Sequence, residues 1–365
     1  MNDEVRATGL DRAPYRSPRG PRRGRRSTYR HPRQDGAEGR DTSGPTYAAL
    51  DLGTNNCRLL VARATRDSFR VIDAFSRIIR LGEGITASGR LSEAAIVRAV
   101  EALRVCRAKM RNRGVTRARL IATEACRTAA NGVDFLDRVR TEVGIELEIV
   151  DRETEARLAA TGCTPLVDPH SKGVILFDIG GGSSELVLLG PSLPSGNGPP
   201  HPEIRAWTSI PIGVVTLAER HGGVTVSREL FSTMIEEVAA YVDRFAAANG
   251  GIDGLHMLGT SGTVTTIAGI YLELPRYERR RVDGCWMSDG QVSGVVEQLL
   301  AMSYESRVAN PCIGAERADL VLAGCAILEA IRRAFPCQRL RVADRGLREG
   351  MLVQMMRDDG AWGDA

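Results

Sequence analysis

The feature that most narrows the fold of this chain is a short motif written twice. Leu50-Asp51-Leu52-Gly53 and Phe177-Asp178-Ile179-Gly180 superimpose at an offset of 127 residues, and the same offset lays Leu59 on Leu186 and Leu60 on Val187. Each copy is an apolar run that ends in Asp-apolar-Gly and resumes as a second apolar run. A short unbroken apolar run bounded by turn signals fits a strand buried on both faces. Both copies are followed by alternating helical and strand patterns. The repeat therefore predicts a duplicated α/β unit with a cleft between the copies.

The first copy reads as strands at Tyr47–Leu52, Leu59–Ala62 and Phe69–Ala74, joined as an antiparallel meander. Ser92 then caps a helix to about Arg113, with Ile96, Ala99, Val100, Leu103 and Cys106 on one face. A strand at Leu120–Ala122, a helix at 132–143, a strand at Leu147–Val150 and a helix at 153–163 follow. The second copy predicts strands at Val174–Ile179, Leu186–Leu189 and 204–210, helices near 213–221 and 227–248, and a strand at Leu255–Leu258. Helical segments broken by Pro275 and Pro311 occupy much of 262–335, before a strand at Leu340–Ala343 and a helix from about 346 to 357. Residues 191–203 are too rich in Pro and Gly for regular structure. The expected division is a tail at 1–44, a first lobe at 45–150 and a second lobe at 151–365, whose last helix has the option of packing back toward the first lobe.

Charge is unevenly placed. Residues 1–44 hold 11 Arg and 6 acidic groups, for +5, whereas the remaining 321 residues sum to −1. The tail, with Arg-Arg-Gly-Arg-Arg at 22–26 and few apolar side chains, is expected to be disordered. The neutral body points to neither a nucleic-acid partner nor a membrane, and no apolar run reaches the roughly 18 residues of a spanning helix. The tail lacks the apolar stretch of a signal peptide, and eight scattered cysteines without a CxxC pair fit a reducing cytoplasm. Only two lysines stand against 47 arginines, with no GxxxxGK[ST], so phosphate handling would fall to arginine, metal and backbone amides.

Asp before Gly at a strand end suits such handling. The glycine lets N–H groups approach an anion, and the carboxylate is a hard donor for a divalent cation such as Mg²⁺. The turns offer Gly53, Thr54, Asn55 and Asn56 in the first copy, with Gly180, Gly181, Gly182 and Ser183 in the second. Gly259-Thr260-Ser261-Gly262 is again a strand running into a helix N-terminus, which favours an anion or nucleotide.

These motifs resemble the phosphate and adenosine motifs of the actin, sugar-kinase and heat-shock-chaperone superfamily. More narrowly, the chain resembles the exopolyphosphatase/guanosine pentaphosphate phosphatase (Ppx/GppA) family. The runs that carry the resemblance are Asp51-Leu-Gly-Thr-Asn-Asn-Cys-Arg58, Arg80-Leu-Gly-Glu-Gly84, Ala122-Thr-Glu-Ala-Cys-Arg127, Glu153-Thr-Glu155-Ala-Arg157, Asp178-Ile-Gly-Gly-Gly-Ser-Ser-Glu185 and Asp344-Arg-Gly-Leu-Arg-Glu-Gly350. They span about residues 47–352. The resemblance implies an α/β fold of two ribonuclease-H-like, actin-like ATPase lobes with the active site in the interlobe cleft. It implies a hydrolase that releases orthophosphate from inorganic polyphosphate or guanosine pentaphosphate, with Mg²⁺ or another divalent cation.

By the same resemblance Glu155 is the catalytic base, whereas Glu153 only complements a helix dipole. Arg127 and Arg58 are phosphate ligands, with Asn131 supporting the turn of the former. Asp51, Asp178 and Glu185 are the metal-binding carboxylates, and Gly259, Ser261 and Gly262 join the substrate-binding set. Thr54-Asn55-Asn56-Cys57 departs from the family's usual Ser-Asn-Ser, and Asp344-Arg345-Gly346 departs from its usual C-terminal run. The chain resembles the short form, which implies a homodimer without the added helical domain of longer members. A small-molecule kinase of the superfamily and a non-catalytic nucleotide-binding regulator are the alternatives.

Overall fold

A strand that is apolar on both faces needs a layer above and below it, and both copies of the motif receive them. The computed structural model describes residues 44–191, 198–250 and 254–362. The expected tail disorder, and residues 192–197 of the Pro- and Gly-rich loop, lie outside the described residues.

In the first sheet β1 (Tyr47–Leu52), β2 (Asn56–Ala64) and β3 (Phe69–Ile78) form an antiparallel meander. Helices α1 (Ile85–Ser88) and α2 (Glu93–Asn112) lead to β4 (Arg117–Ala122), which pairs parallel to β1. Helices α3 (Glu124–Thr128) and α4 (Gly132–Val143) then lead to β5 (Glu148–Ile149), giving the order β3-β2-β1-β4-β5. Ser92 caps α2 as its sequence predicts, its side chain accepting from the Ala95 amide.

After α5 (Arg152–Cys163) the pattern repeats. Strands β6 (Gly173–Ile179), β7 (Ser184–Leu189) and β8 (Ile204–Ile210) form a meander. Helices α6 (Val214–His221) and α7 (Arg228–Asn249) precede β9 (Leu255–Thr260), which is parallel to β6. Then come α8 (Gly262–Tyr271), α9 (Arg279–Val282), β10 (Trp286–Ser288), α10 (Asp289–Ala301), α11 (Tyr304–Ala309), α12 (Val321–Ala334), β11 (Arg339–Ala343) and α13 (Leu347–Asp358). The second sheet runs β8-β7-β6-β9-β11-β10, so its first five strands repeat the order of the first sheet. The architecture is the expected α/β pair of ribonuclease-H-like lobes. Strand β10, in the stretch expected to be largely helical, and the short helices α1 and α3 were not expected. Strand β10 adds three residues antiparallel to β11, too few to show a strand period.

Alternate residues of each central strand feed different cores. Ala48, Leu50 and Leu52 pack with α2 and α4, while Tyr47 and Ala49 pack with Met351, Met355 and Met356 of α13. In the second sheet Ile175, Phe177 and Ile179 join the core under α7 and α12, while Val174 and Leu176 meet Ala156, Ala160 and Cys163 of α5. The closing helices are thus exchanged: α5 follows the first sheet and covers the second, and α13 follows the second and covers the first.

The two helices cross with backbone against backbone. A Cβ on Gly162 of α5 would lie 2.0 Å from the Gly346 carbonyl oxygen, and one on Gly350 of α13 would lie 1.9 Å from that of Leu158. Main-chain atoms cannot rotate aside, so Gly350→Ala should destabilise the fold by about 1–3 kcal/mol. Gly294→Ala, on α10 where an added Cβ meets nothing within 4 Å, should instead stabilise by about 0.5–1 kcal/mol. Urea unfolding of the two variants would separate these outcomes.

Candidate active site

The two hairpins β1–β2 and β6–β7 are built alike at their tips. The Gly53 amide donates to the Asn56 carbonyl and the Gly180 amide to the Ser183 carbonyl, both at 2.9 Å. Asp51 pairs across the ladder with Arg58, and Asp178 with Glu185. The turns face one another closely: a Cβ on Gly181 would lie 2.9 Å from Thr54 Cβ, and one on Gly182 would lie 2.9 Å from Thr54 Oγ1. The turn-to-turn contact therefore requires glycine at both positions, a reason that the ligand-approach reading of this run did not include.

Between the lobes lies a cavity of about 700 Å³. Every expected site residue except Arg127 and Gly259 lines it: Asp51, Gly53, Thr54, Asn55, Asn56, Arg58, Glu155, Asp178, Gly180, Gly181, Gly182, Ser183, Glu185, Ser261 and Gly262. Gly259 is inside β9, where a Cβ would meet the Phe177 ring at 2.5 Å. Packing within the second core, not substrate, accounts for that glycine. Ser261 adopts φ +151°, a region that non-glycine residues rarely occupy, and its side chain caps α8 by accepting from the Val264 amide.

Four carboxylates converge here. Burial, reinforced by Glu155, pushes Asp178 up to about 7, and burial with the neighbouring Asp178 pushes Glu185 up to about 7. Hydrogen bonds from Ser183 (2.7 Å) and Ser209 (2.9 Å) to Glu185 oppose this only in part. Burial also raises Asp51 against the pull of Arg58 and Arg348. Burial and Glu185 hold Glu155 well above the ordinary glutamate range, while Arg127 pulls the other way.

Arg127, expected as a phosphate ligand, is put to a different use. Its fork is bound by Glu124 Oε2 (2.5 Å), Glu155 Oε2 (3.2 Å) and the Val150 carbonyl (2.5 Å). Glu124 also accepts from Arg152 at 2.6 Å. Burial alone would raise Glu124, but the hydrogen bonds from Arg152 and Arg127 outweigh it and hold the carboxyl low. Arg127 thus fixes the carboxylate of Glu155 in the first turn of α5. Asn131 exchanges hydrogen bonds with the Leu91 backbone and braces the start of α4. Glu153 pairs with Arg157 one turn along, at 2.7 Å.

The groups free to meet an anion are others. Among the described residues the amides of Thr54, Asn55, Gly181 and Gly182 donate to no protein acceptor, whereas those of Gly53 and Gly180 are consumed by their own turns. Arg58, Arg317 and Arg348 line the cavity without a salt bridge to any described residue. Burial and the adjacent Arg58 lower the affinity of Arg317 for its proton, and burial does the same for Arg348. Sequence reading missed both. Arg348 stands inside the C-terminal motif, but nothing in the local pattern separates Arg317 from 46 other arginines.

A model of the Ppx/GppA phosphatase family matches residues 60–359. The chain belongs to that family. It is similar to the guanosine-5'-triphosphate,3'-diphosphate pyrophosphatase of Aeromonas salmonicida, at 27% identity over 313 residues that cover 86% of this chain and 60% of that protein. It spans about 60% of the length of the curated pyrophosphatases it matches. Among solved structures it is similar to the Ppx/GppA family member of Aquifex aeolicus, with TM-score 0.70 and 28% identity over 86% of this chain and 98% of that one. An exopolyphosphatase from Cytophaga hutchinsonii shares the fold, with TM-score 0.78 and 24% identity over 86% and 98% of the two chains.

The raised carboxylates have a measurable cost. Asp178 binds its proton more tightly in the folded chain than in the unfolded one, so the fold loses stability as pH rises between about 4 and about 7. Relative to Asp178→Asn, which has no proton to lose, the native chain should weaken across that window by at most about 4 kcal/mol and run parallel above it. Denaturant titrations in a chelating buffer would measure the difference. A native chain that gained on the variant over the same window would contradict the assignment.

Proposed function

We propose that this chain hydrolyses the terminal phosphoanhydride of inorganic polyphosphate or guanosine pentaphosphate and releases orthophosphate. The observation that carries the reading is Glu155. It is a carboxylate of raised proton affinity, clamped by Arg127, at the wall of a cavity with unpaired backbone amides and unpaired arginines. A binding module has no use for a buried base of raised proton affinity, whereas hydrolysis does.

In this reading the amides of Thr54, Asn55, Gly181 and Gly182 and the guanidinium of Arg58 hold the non-bridging phosphate oxygens. Glu155 accepts the proton of a water aimed in line at the terminal phosphorus, and Arg127 keeps its carboxylate in one orientation. Attack forms the new P–O bond as the bond to the bridging oxygen breaks, leaving the shortened chain with that oxygen.

A divalent cation suits the donor set. Asp51, Asp178 and Glu185 are hard oxygen ligands, and the buried side-chain oxygens of Asn55 and Asn56 have no protein partner. Among the described residues no three His, Cys, Asp or Glu side chains are grouped closely enough to hold an ion alone. Mg²⁺ keeps several waters and shares substrate oxygens, so the three carboxylates need not all touch it. Asp51, Asp178 and Glu185 would hold it, and when bound it supplies charge neutralisation at the phosphates.

Phosphate release without an acceptor, from both substrates at matched concentration and with and without Mg²⁺, tests the proposal directly. Glu155→Gln should fold normally and lose about 100- to 10,000-fold in kcat. Near-native turnover by that variant would remove Glu155 from the mechanism. The acid limb of the kcat/KM profile should lie above the ordinary glutamate range, since activity needs the ionised base. Arg127→Gln should move that limb to still higher pH, because the cation that favours the carboxylate is gone.

A further inference from the structure

The run Arg80-Leu-Gly-Glu-Gly84 has no part in the chemistry above, yet it connects the first phosphate turn to the opposite lobe. On one side it is bound to that turn. The amides of Ile79 and Arg80 both donate to the Asn55 carbonyl, at 2.9 and 3.1 Å, and the Gly82 amide donates to that of Thr54 at 2.8 Å. Arg80 holds φ +46°, the left-handed region that side chains other than glycine enter at a cost.

On the other side it reaches the second lobe. The Arg80 guanidinium grips Asp319 through two hydrogen bonds of 3.0 and 2.9 Å and adds a third, of 3.1 Å, to the Glu316 carbonyl. The Gly84 amide donates to the Glu219 carboxylate of α6 at 2.7 Å. The receiving segment is itself seated, because the buried Arg307 donates to the carbonyls of Ala318 (2.8 Å) and Gly223 (3.0 Å). Between the two residues that Arg80 holds lies Arg317, one of the three cavity-lining arginines without a salt bridge to any described residue.

We propose that Arg80 and Asp319 are positioning residues that clasp the two lobes and fix Arg317 in the cavity wall, beside Gly262 and near Arg58, where it contacts the anionic substrate. The inference rests on the phosphoanhydride reading of the cavity. Neither Arg80 nor Asp319 lines the cavity, and the pair is half-buried, at 31% and 24% exposure. A two-pronged, partly dehydrated ion pair of this kind holds geometry better than an exposed one. Losing it should weaken binding and leave the chemical step nearly intact.

The test uses the full chain carrying Asp319→Asn, Arg80→Gln, or the reversed pair Arg80→Asp with Asp319→Arg. Hydrogen exchange at 79–84 and 314–320 should rise together in each single variant, and KM for long-chain polyphosphate should rise about tenfold with kcat within about threefold. The reversed pair should recover much of both. Exchange that rises in only one segment or in neither, or a fall in kcat at unchanged KM, would overturn the clasp. Urea midpoints identify a variant that has simply unfolded, and Asp319→Asn, the most conservative change, then decides the matter. If the native chain releases no phosphate from either substrate, the phosphoanhydride reading fails separately. The exchange data, with calorimetric binding of tripolyphosphate in place of KM, still decide for or against the clasp.

Discussion

The crossing of α5 and α13 is the contact on which the rest of the molecule depends. Each helix continues from one sheet and roofs the other, so neither lobe completes its core without a segment from its partner. Bringing two helices to backbone contact requires residues without side chains at the crossing, and Gly162 and Gly350 supply them. The same exchange places the first turns of both helices at the cleft. Glu155 arrives on α5 and Arg348 on α13, so the candidate base and one unpaired arginine sit in the cavity as a consequence of how the cores are closed.

The cavity runs against the interest of the fold. Burying Asp51, Glu155, Asp178 and Glu185 near one another raises the proton affinity of all four, a state that costs stability at neutral pH. Meanwhile Arg127, the cation that opposes this at Glu155 and Glu185, is shared between Glu124 and Glu155. Sites arranged in this way store local repulsion that positive charge from outside can discharge. The unpaired amides and arginines opposite do the converse for negative charge. A ligand that brings both signs, a phosphate chain with its cation, would satisfy the two halves at once.

Much of this was legible in the sequence because its signals are local. Buried strands announce themselves as apolar runs, Ser92 as a cap, and the duplication as a repeated Asp-apolar-Gly. What escaped depends on partners distant in the chain. Strand β10 exists only because β11 offers an edge to three residues of no marked period. The demand for glycine at 181 and 182 comes from Thr54, and at 259 from Phe177. Whether the Arg127 guanidinium is free or already bound turns on Glu124, Glu155 and Val150, which no spacing rule reveals. Arg317 was invisible for the opposite reason, since its distinction is the absence of a partner among the described residues.

The hairpin tips carry one more implication. They share the turn hydrogen bond, the strand-end aspartate and the ladder register, but the offset that relates them sets Arg58 in one against Glu185 in the other. Two equivalent tips would give a run of identical phosphate units two equivalent seatings, head to tail or tail to head. A guanidinium in one tip and a carboxyl of raised proton affinity in the other remove that degeneracy. The differences between the duplicated tips thus give the cleft two unlike ends.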